Sequence, residues 1–229
     1  MKKIGILGGM SAASTQIYYR TLCDLTQERI GGLTSPDLLI RSLDFAPLAA
    51  SMNAGDWMAI AGILHAEARR LRDGGADLIL LASNTMHKLA DEVMAGIDIP
   101  LLHIADTTAA AVADSGCKTP AFIATKFTME ERFYLDRLES HGLRPMVPDI
   151  EQRRDINRII FDELCRNEIN PASRDRYVEI VETLTGSGAD SVILGCTEVC
   201  LLLDETNTDL PLFDTTRLHC EAALEAAAR

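Results

Sequence analysis

The chain has 229 residues, 47% of them hydrophobic, which is enough to bury a full core as one large domain or as two halves of about 100 to 120 residues each, and which excludes disorder. A formal charge of −12 with a pI near 4.8 offers no basic patch to phosphates or to an anionic lipid surface, so nucleic acid and membranes are set aside as partners while a small molecule is not. No apolar run approaches the roughly 20 residues that span a bilayer, and the opening Met1-Lys2-Lys3-Ile4-Gly5-Ile6-Leu7-Gly8-Gly9 is too short and too broken by glycine for a signal sequence, so the expected setting is the cytoplasm.

In chain order, apolar runs of strand length fall at 3–7, 37–42, 78–81, 101–104, 121–124, 145–147, 191–194 and 210–213. Their apolar character is continuous rather than alternating, as in parallel strands covered on both faces. The segments between them carry helical periodicity. Over 57–72, Ile60, Ile63, Leu64, Ala68 and Leu71 repeat at steps of three and four, Arg69, Arg70 and Arg72 largely avoid that stripe, and Gly74-Gly75 stops the helix. Over 173–187 the inward set is Tyr177, Ile180, Val181 and Leu184, with Gly186 and Gly188 at the end.

One segment occurs twice. Gly75-Ala76-Asp77 leads through an apolar run to Ser83-Asn84-Thr85, and Gly188-Ala189-Asp190 leads through another to Cys196-Thr197-Glu198, both at an offset of 113 (75 to 188, 83 to 196). Weaker matches extend the repeat: 99–107 resembles 210–215, and 4–7 resembles 121–124. An offset near half the chain points to duplication. The expected fold is α/β, with two pseudo-symmetric half-domains, each a short mainly parallel sheet flanked by helices. Their expected extents are 1–100 with 210–229, and 101–209. No Pro/Gly/Ser linker separates them, so close packing is expected.

Six cysteines (Cys23, Cys117, Cys165, Cys196, Cys200, Cys220) are scattered, and a cytosolic chain keeps them reduced. Cys196 and Cys200 have a C-x3-C spacing with no second pair and no nearby histidine of ligand spacing, so no metal is expected. Gly5-x-x-Gly8-Gly9 lacks both the GxGxxG spacing and a following Lys-Ser/Thr, so no nucleotide cofactor is expected either.

In an open parallel sheet, ligands bind beyond the carboxyl ends of the strands, where helix N-termini present unpaired N–H groups. Both copies of the repeat place a small nucleophilic residue there, and pseudo-two-fold packing would face Ser83 and Cys196 across one cleft. A helix N-terminus also favours a thiolate, so Cys196 is expected to have a lowered pKa and to be the reactive thiol. The bland alternatives are a helix cap for Ser83 and a packed apolar residue for Cys196. Their shared place in one repeated motif favours chemistry.

Gly8-Gly9-Met10, Asn84-Thr85-Met86-His87 and Gly195-Cys196-Thr197-Glu198 together resemble the signatures of the aspartate/glutamate racemase superfamily, and the resemblance runs essentially the whole chain. It implies two pseudo-symmetric α/β domains with a crossover of the C-terminal tail, a site between them that uses no cofactor, an amino acid as the small-molecule partner, and commonly a homodimer. It also implies two thiols on opposite faces of the substrate, one taking the α-proton and the other delivering one. Cys196 matches the second thiol. Ser83 replaces the first, as in a subgroup with a hydroxyl residue there that is associated with L-aspartate and L-glutamate.

A serine hydroxyl is a far weaker acid than a thiol of pKa near 8.5, so Ser83 donates a proton more readily than it takes one. By the resemblance, Cys196 would be the base toward the L-enantiomer and Ser83 the donor on the other face. Met10, Met52, Asn84, Thr85, Thr125, Thr197 and Glu198 are the expected substrate contacts, with helix capping as the plain reading of the polar ones, and His87 is either a cleft residue or a satisfied structural histidine. The chain departs from the family at Ser11-Ala12, where Gly-Pro is common, and at Glu163-Leu164-Cys165-Arg166, where many members carry a lysine. Arg41 or Lys126 would have to replace that cation. Two other readings stand beside the racemase: a one-thiol decarboxylase or cis-trans isomerase acting on a dicarboxylate, and a catalytically silent ligand-binding relative.

Overall fold

The computed structural model describes residues 1–166 and 168–229. The chain divides into two compact units, Met1–His103 with His219–Arg229, and Ile104–Leu218. The first contains β1 (Ile4–Gly8), α1 (Ala12–Ile30), β2 (Leu38–Ser42), α2 (Phe45–Ala54), α3 (Trp57–Asp73), β3 (Leu78–Leu81) and α4 (Ala90–Met94). The second contains α5 (Ile104–Asp114), β4 (Pro120–Ala124), α6 (Lys126–Glu130), α7 (Arg132–Ser140), α8 (Ile150–Asp162), α9 (Pro171–Gly186), β5 (Ser191–Gly195) and β6 (Leu212–Asp214). The division falls inside α10 (Thr215–Ala228).

Each unit is built on a three-stranded parallel sheet, ordered β2-β1-β3 in the first and β4-β5-β6 in the second. The inner strands are almost wholly apolar, as strands covered on both faces are, whereas β2 carries Arg41 and Ser42 toward solvent and β6 ends in the half-buried Asp214. β1, β3, β4 and β5 are buried along their whole lengths. Helix ends follow local chemistry: Asp56 caps α3 by accepting from the Ala59 N–H, Asp149 and Gln152 form a reciprocal capping box on α8, and Asn170 with Pro171 starts α9.

The repeated Gly-Ala-Asp turn acquires a physical meaning here. The Asp77 N–H donates to Lys3 O (2.8 Å) while the Lys3 N–H donates back to Asp77 Oδ2 (2.7 Å). In the other copy the Asp190 N–H donates to Thr119 O (3.1 Å), and the Asp190 carboxylate accepts from the N–H groups of Lys118 (2.6 Å) and Thr119 (3.0 Å) and from the Ser191 hydroxyl (2.9 Å). Each aspartate staples the start of the strand it precedes to the start of the neighbouring strand, which sets their register. At Asp190, burial opposes ionisation, but the two amides and the hydroxyl outweigh it and hold the carboxyl below its usual range.

Several expectations are corrected. The runs at 101–104 and 145–147 are not strands but single parallel bridges, Ile79↔Leu101 and Ala121↔Met146. The first is cut short because α5 begins at Ile104, the second because Pro148 and the Asp149 cap turn the chain into α8. The last run pairs only from Leu212, and it pairs with β5; the second unit therefore extends to Leu218, past the expected boundary at 209. Ile63 is 40% exposed, while Ala61 and Glu67 of the same helix are buried. The weak match of 4–7 to 121–124 shifts by one residue: Ile79 pairs with Gly5 and its repeat partner Val192 pairs with Ala121, so Gly5 is the counterpart of Ala121. A pattern buried on both faces carries no alternation from which that slip could be read. No described helix is long and apolar enough to cross a membrane.

Replacing Asp190 by Asn is expected to lower the unfolding free energy by roughly 1–3 kcal/mol, and Asp77→Asn by less, because three donors rather than one lose a charged acceptor. Urea denaturation of both variants at neutral pH measures the difference, and equal losses would contradict the proposed inequality of the staples.

Candidate active site

The strands of the first unit end at Gly8, Ser42 and Leu81, and most of the candidate residues of this unit lie just after those ends. Gly9 has φ of +85°, and a Cβ there would lie 2.1 Å from Leu43 N, so only glycine brings this loop against Leu43. The Gly9 N–H donates to Thr15 Oγ1 (2.7 Å), and Ser11 caps α1 by accepting from the Ser14 N–H. Met10 is thereby held buried in the loop, and Met52 is buried on α2. Ser83, half-buried, lies between β3 and a short 3-10 helix, Thr85–Leu89. Its hydroxyl makes no hydrogen bond among the described residues, and its carbonyl accepts from His87 Nδ1 (2.8 Å). Asn84 and Thr85 are buried beside it.

His87 is therefore tied to its own turn, and it belongs to a buried histidine cluster that sequence reasoning missed. Its ring lies 4.6 Å from that of His103 and 5.6 Å from that of His219. His219 Nε2 donates to Leu102 O (2.9 Å), which leaves Nδ1 to accept from the Tyr18 hydroxyl (2.7 Å). Burial first, and then neighbouring His87, depress the His219 pKa to about 3 against the partial offset of the Leu102 carbonyl. The partners of this cluster come from four distant stretches of chain, which no local motif announces.

In the second unit Thr125 comes directly after β4 and caps α6, accepting from the Thr128 N–H (3.4 Å) and sharing a hydrogen bond with the Thr128 hydroxyl (2.9 Å). Cys196 comes directly after β5. A Cβ on the preceding Gly195 would come within 2.5 Å of the Phe122 ring, so the chain passes close to β4 as it delivers the thiol. Cys196 Sγ donates to Glu198 Oε2 (3.2 Å), and the Thr197 hydroxyl donates to the same oxygen. Thr197 and Glu198 are buried, and Cys200 Sγ donates to Thr197 O (3.1 Å).

The expected lowering of the Cys196 pKa is corrected. The chain beyond the thiol forms only a three-residue 3-10 turn, Val199–Leu201, and not a helix with a useful macrodipole. Burial, together with the Glu198 carboxylate as the second cause, pushes the thiol well above its ordinary range. Cys165 and Cys200 are each pushed up to about 12, in both cases mainly by burial, with Glu198 acting on Cys165 and Asp214 and Glu198 on Cys200. Cys165, met in the sequence as one of six scattered cysteines and as part of a departure from the family pattern, is thus an electrostatic neighbour of Cys196.

The proposed substitute cations are engaged elsewhere. Arg41 Nε donates to Glu67 Oε2 (2.6 Å), and Arg70 pairs with the other carboxylate oxygen of that buried glutamate. The Lys126 N–H donates to Asn157 Oδ1 (3.0 Å), and its ammonium lies 3.9 Å from Glu130.

A sequence family described as Asp/Glu/hydantoin racemase matches residues 7–223. The broad specificity amino-acid racemase RacX of Bacillus subtilis is 26% identical over 219 residues, spanning 93% of this chain and 92% of RacX. Among solved structures, a Yersinia pestis protein described as a candidate Asp/Glu racemase matches with a TM-score of 0.92 and 40% identity, over 100% of both chains. PH1733 of Pyrococcus horikoshii, an aspartate racemase homologue, matches with a TM-score of 0.87 and 33% identity, again over 100% of both.

The electrostatics give two expected outcomes. Alkylation of Cys196 by iodoacetamide, read by peptide mass spectrometry, should rise with pH through a midpoint above the usual thiol value of about 8.5, and Glu198→Gln should move that midpoint down. An unmoved or raised midpoint would contradict the assignment of Glu198. His219 is neutral when folded and charged below about pH 6.5 when unfolded, so its contribution is complete above that pH. It is lost as pH falls toward 3, with a slope of about 1.4 kcal/mol per pH unit for one proton. Urea unfolding between pH 6.5 and 4.5 tests this, and a flat curve would mean that the ring is charged in the folded chain.

Proposed function

The chain belongs to the Asp/Glu/hydantoin racemase family, and on that footing we propose that it is a pyridoxal-independent racemase of aspartate, glutamate or a related amino acid, with Cys196 and Ser83 as its two proton-transfer groups. The observation that supports the reading is equivalent placement: Cys196 and Ser83 follow equivalent strands of the two units, and Cys196 donates its S–H to a buried carboxylate.

In the proposed reaction Glu198 takes the thiol proton, and the Cys196 thiolate takes the α-proton of the L-enantiomer. The Cα–H pair remains on carbon as a planar carbanion. Ser83 O–H then gives its proton to the other face, and the alkoxide left behind is reprotonated through solvent as Glu198 gives up the proton it took, which restores the Ser83 hydroxyl and the Glu198 carboxylate. The substrate ammonium, drawn toward Glu198, offsets the negative charge that keeps the thiol protonated. Asn84, Thr85 and Thr197 supply amide and hydroxyl groups to the α-carboxylate and amine, while Met10, Met52 and Thr125 bound the side chain. The reading includes a cytoplasmic homodimer, supported by the family resemblance and by composition.

Enantiomers have equal free energy, so forward and reverse specificity constants are equal and the proposed L-bias is one of saturation and of slow turnover in one direction. The missing base at Ser83 favours a second reading, in which Cys196 works alone on a dicarboxylate, in decarboxylation or cis-trans isomerisation.

Incubation with both enantiomers of each chiral proteinogenic amino acid in deuterated water, monitored by NMR and chiral chromatography, separates these. The racemase reading expects α-proton exchange with inversion, loss of both in Cys196→Ala and Cys196→Ser, and faster turnover of D-substrates in Ser83→Cys. Absence of exchange with every amino acid would overturn it.

A further inference from the structure

We infer that His87 is a positioning residue that holds the Ser83 hydroxyl in its working direction by way of the Ser83 carbonyl. The inference deepens the two-base reading and rests on it for its role in the reaction.

Ser83 has no side-chain partner among the described residues to steer its hydroxyl, so the direction of that group depends on its backbone and on one side-chain rotamer. The backbone around it is clamped at three polar atoms. The Ala82 N–H donates to Leu7 O (2.9 Å), Ser14 Oγ donates to Ala82 O (2.8 Å), and His87 Nδ1 donates to Ser83 O (2.8 Å). The first is the last rung of the sheet. The other two come from side chains, and among the described residues only His87 bonds to Ser83 itself.

His87 is in turn immobilised. It is buried, its N–H donates to Asn84 O (3.2 Å), and its ring packs on His103 and against the edge of His219, which Tyr18 and Leu102 hold by hydrogen bonds. The second copy of the repeat supplies the contrast. At the same offset of 113, His87 corresponds to Cys200, whose thiol, a weak donor, bonds to Thr197 O rather than to the carbonyl of Cys196. Cys196 has Glu198 to direct it. Where the proton-transfer group has a partner of its own, the brace is weak; where it has none, the brace is an imidazole fixed by further rings.

The test uses the whole protein in deuterated water with L-glutamate, L-aspartate and the other L-amino acids that it turns over. His87→Ala should cut inversion by roughly ten- to a hundredfold, the range for a small displacement of a reacting group, while exchange of the L-substrate at Cys196 persists. The ratio of exchange to inversion therefore rises. His87→Asn, which keeps an N–H near the place of Nδ1, should restore most of the inversion. A second readout needs no substrate: in Ser83→Cys protein, adding His87→Ala should change iodoacetamide labelling at position 83 at least severalfold and leave labelling at Cys196 unchanged. The inference is overturned if exchange and inversion fall together in both His87 variants, or if neither the ratio nor the labelling moves. An unchanged ratio in Ser83→Ala instead removes the two-base reading, and the labelling result then decides the brace alone.

Discussion

The structure depends on register. Each candidate proton-transfer group sits at the end of a strand whose start is stapled to its neighbour by the aspartate of the Gly-Ala-Asp turn, Asp77 to Lys3 and Asp190 to Lys118 and Thr119. A one-residue slip of either strand would reverse which side chains meet each helical layer and move the residue that leaves the carboxyl end. The strands themselves cannot prevent this, because they are apolar on both faces. A charged acceptor for backbone N–H groups can, since its hydrogen bonds are stronger than neutral ones and have one geometry.

The same frame then carries two different chemistries. At Cys196 the turn places a carboxylate two residues on, within hydrogen-bond reach of the thiol, in a buried setting. At Ser83 the equivalent stretch reads Asn84-Thr85, and the hydroxyl is placed by its backbone. Duplication explains why both groups sit at strand ends. The residues after them differ, and they give Cys196 a carboxylate partner while the Ser83 hydroxyl has no hydrogen bond among the described residues.

Much of the fold was legible because it is written locally. Continuous apolar runs located all six strands, and helical spacing with glycine stops located the helices over 57–72 and 173–187, where Tyr177, Ile180, Val181 and Leu184 are buried as their spacing implied. Elements read from apolar character alone were less secure: 101–104 and 145–147 are apolar, but helix starts and prolines leave each only one bridge. Long-range matters were illegible. Glu67 lies inside an arginine-rich helix and gave no sign that it would be buried between Arg41 and Arg70. The histidine cluster joins residues as far apart as Tyr18 and His219. For Cys196, position pointed to a helix N-terminus and a low pKa, but the turn is too short for a dipole to compete with burial and a buried carboxylate.

That raised thiol bears on how such a site works, since a racemase needs one base and one acid at a time and here both groups rest protonated. The deciding quantity is the charge the substrate brings. Two unit charges about 4 Å apart interact by about 4 kcal/mol at an effective dielectric of 20, which is close to three pKa units. On the proposed reading an ammonium held near Glu198 would oppose the charge with which that carboxylate raises the thiol, and would do so only while substrate is bound. A thiol kept protonated in the empty site is also poorly nucleophilic and resists oxidation. Glu198 thus holds the Cys196 thiol protonated through its charge, and on the proposed reading a substrate ammonium relaxes that hold.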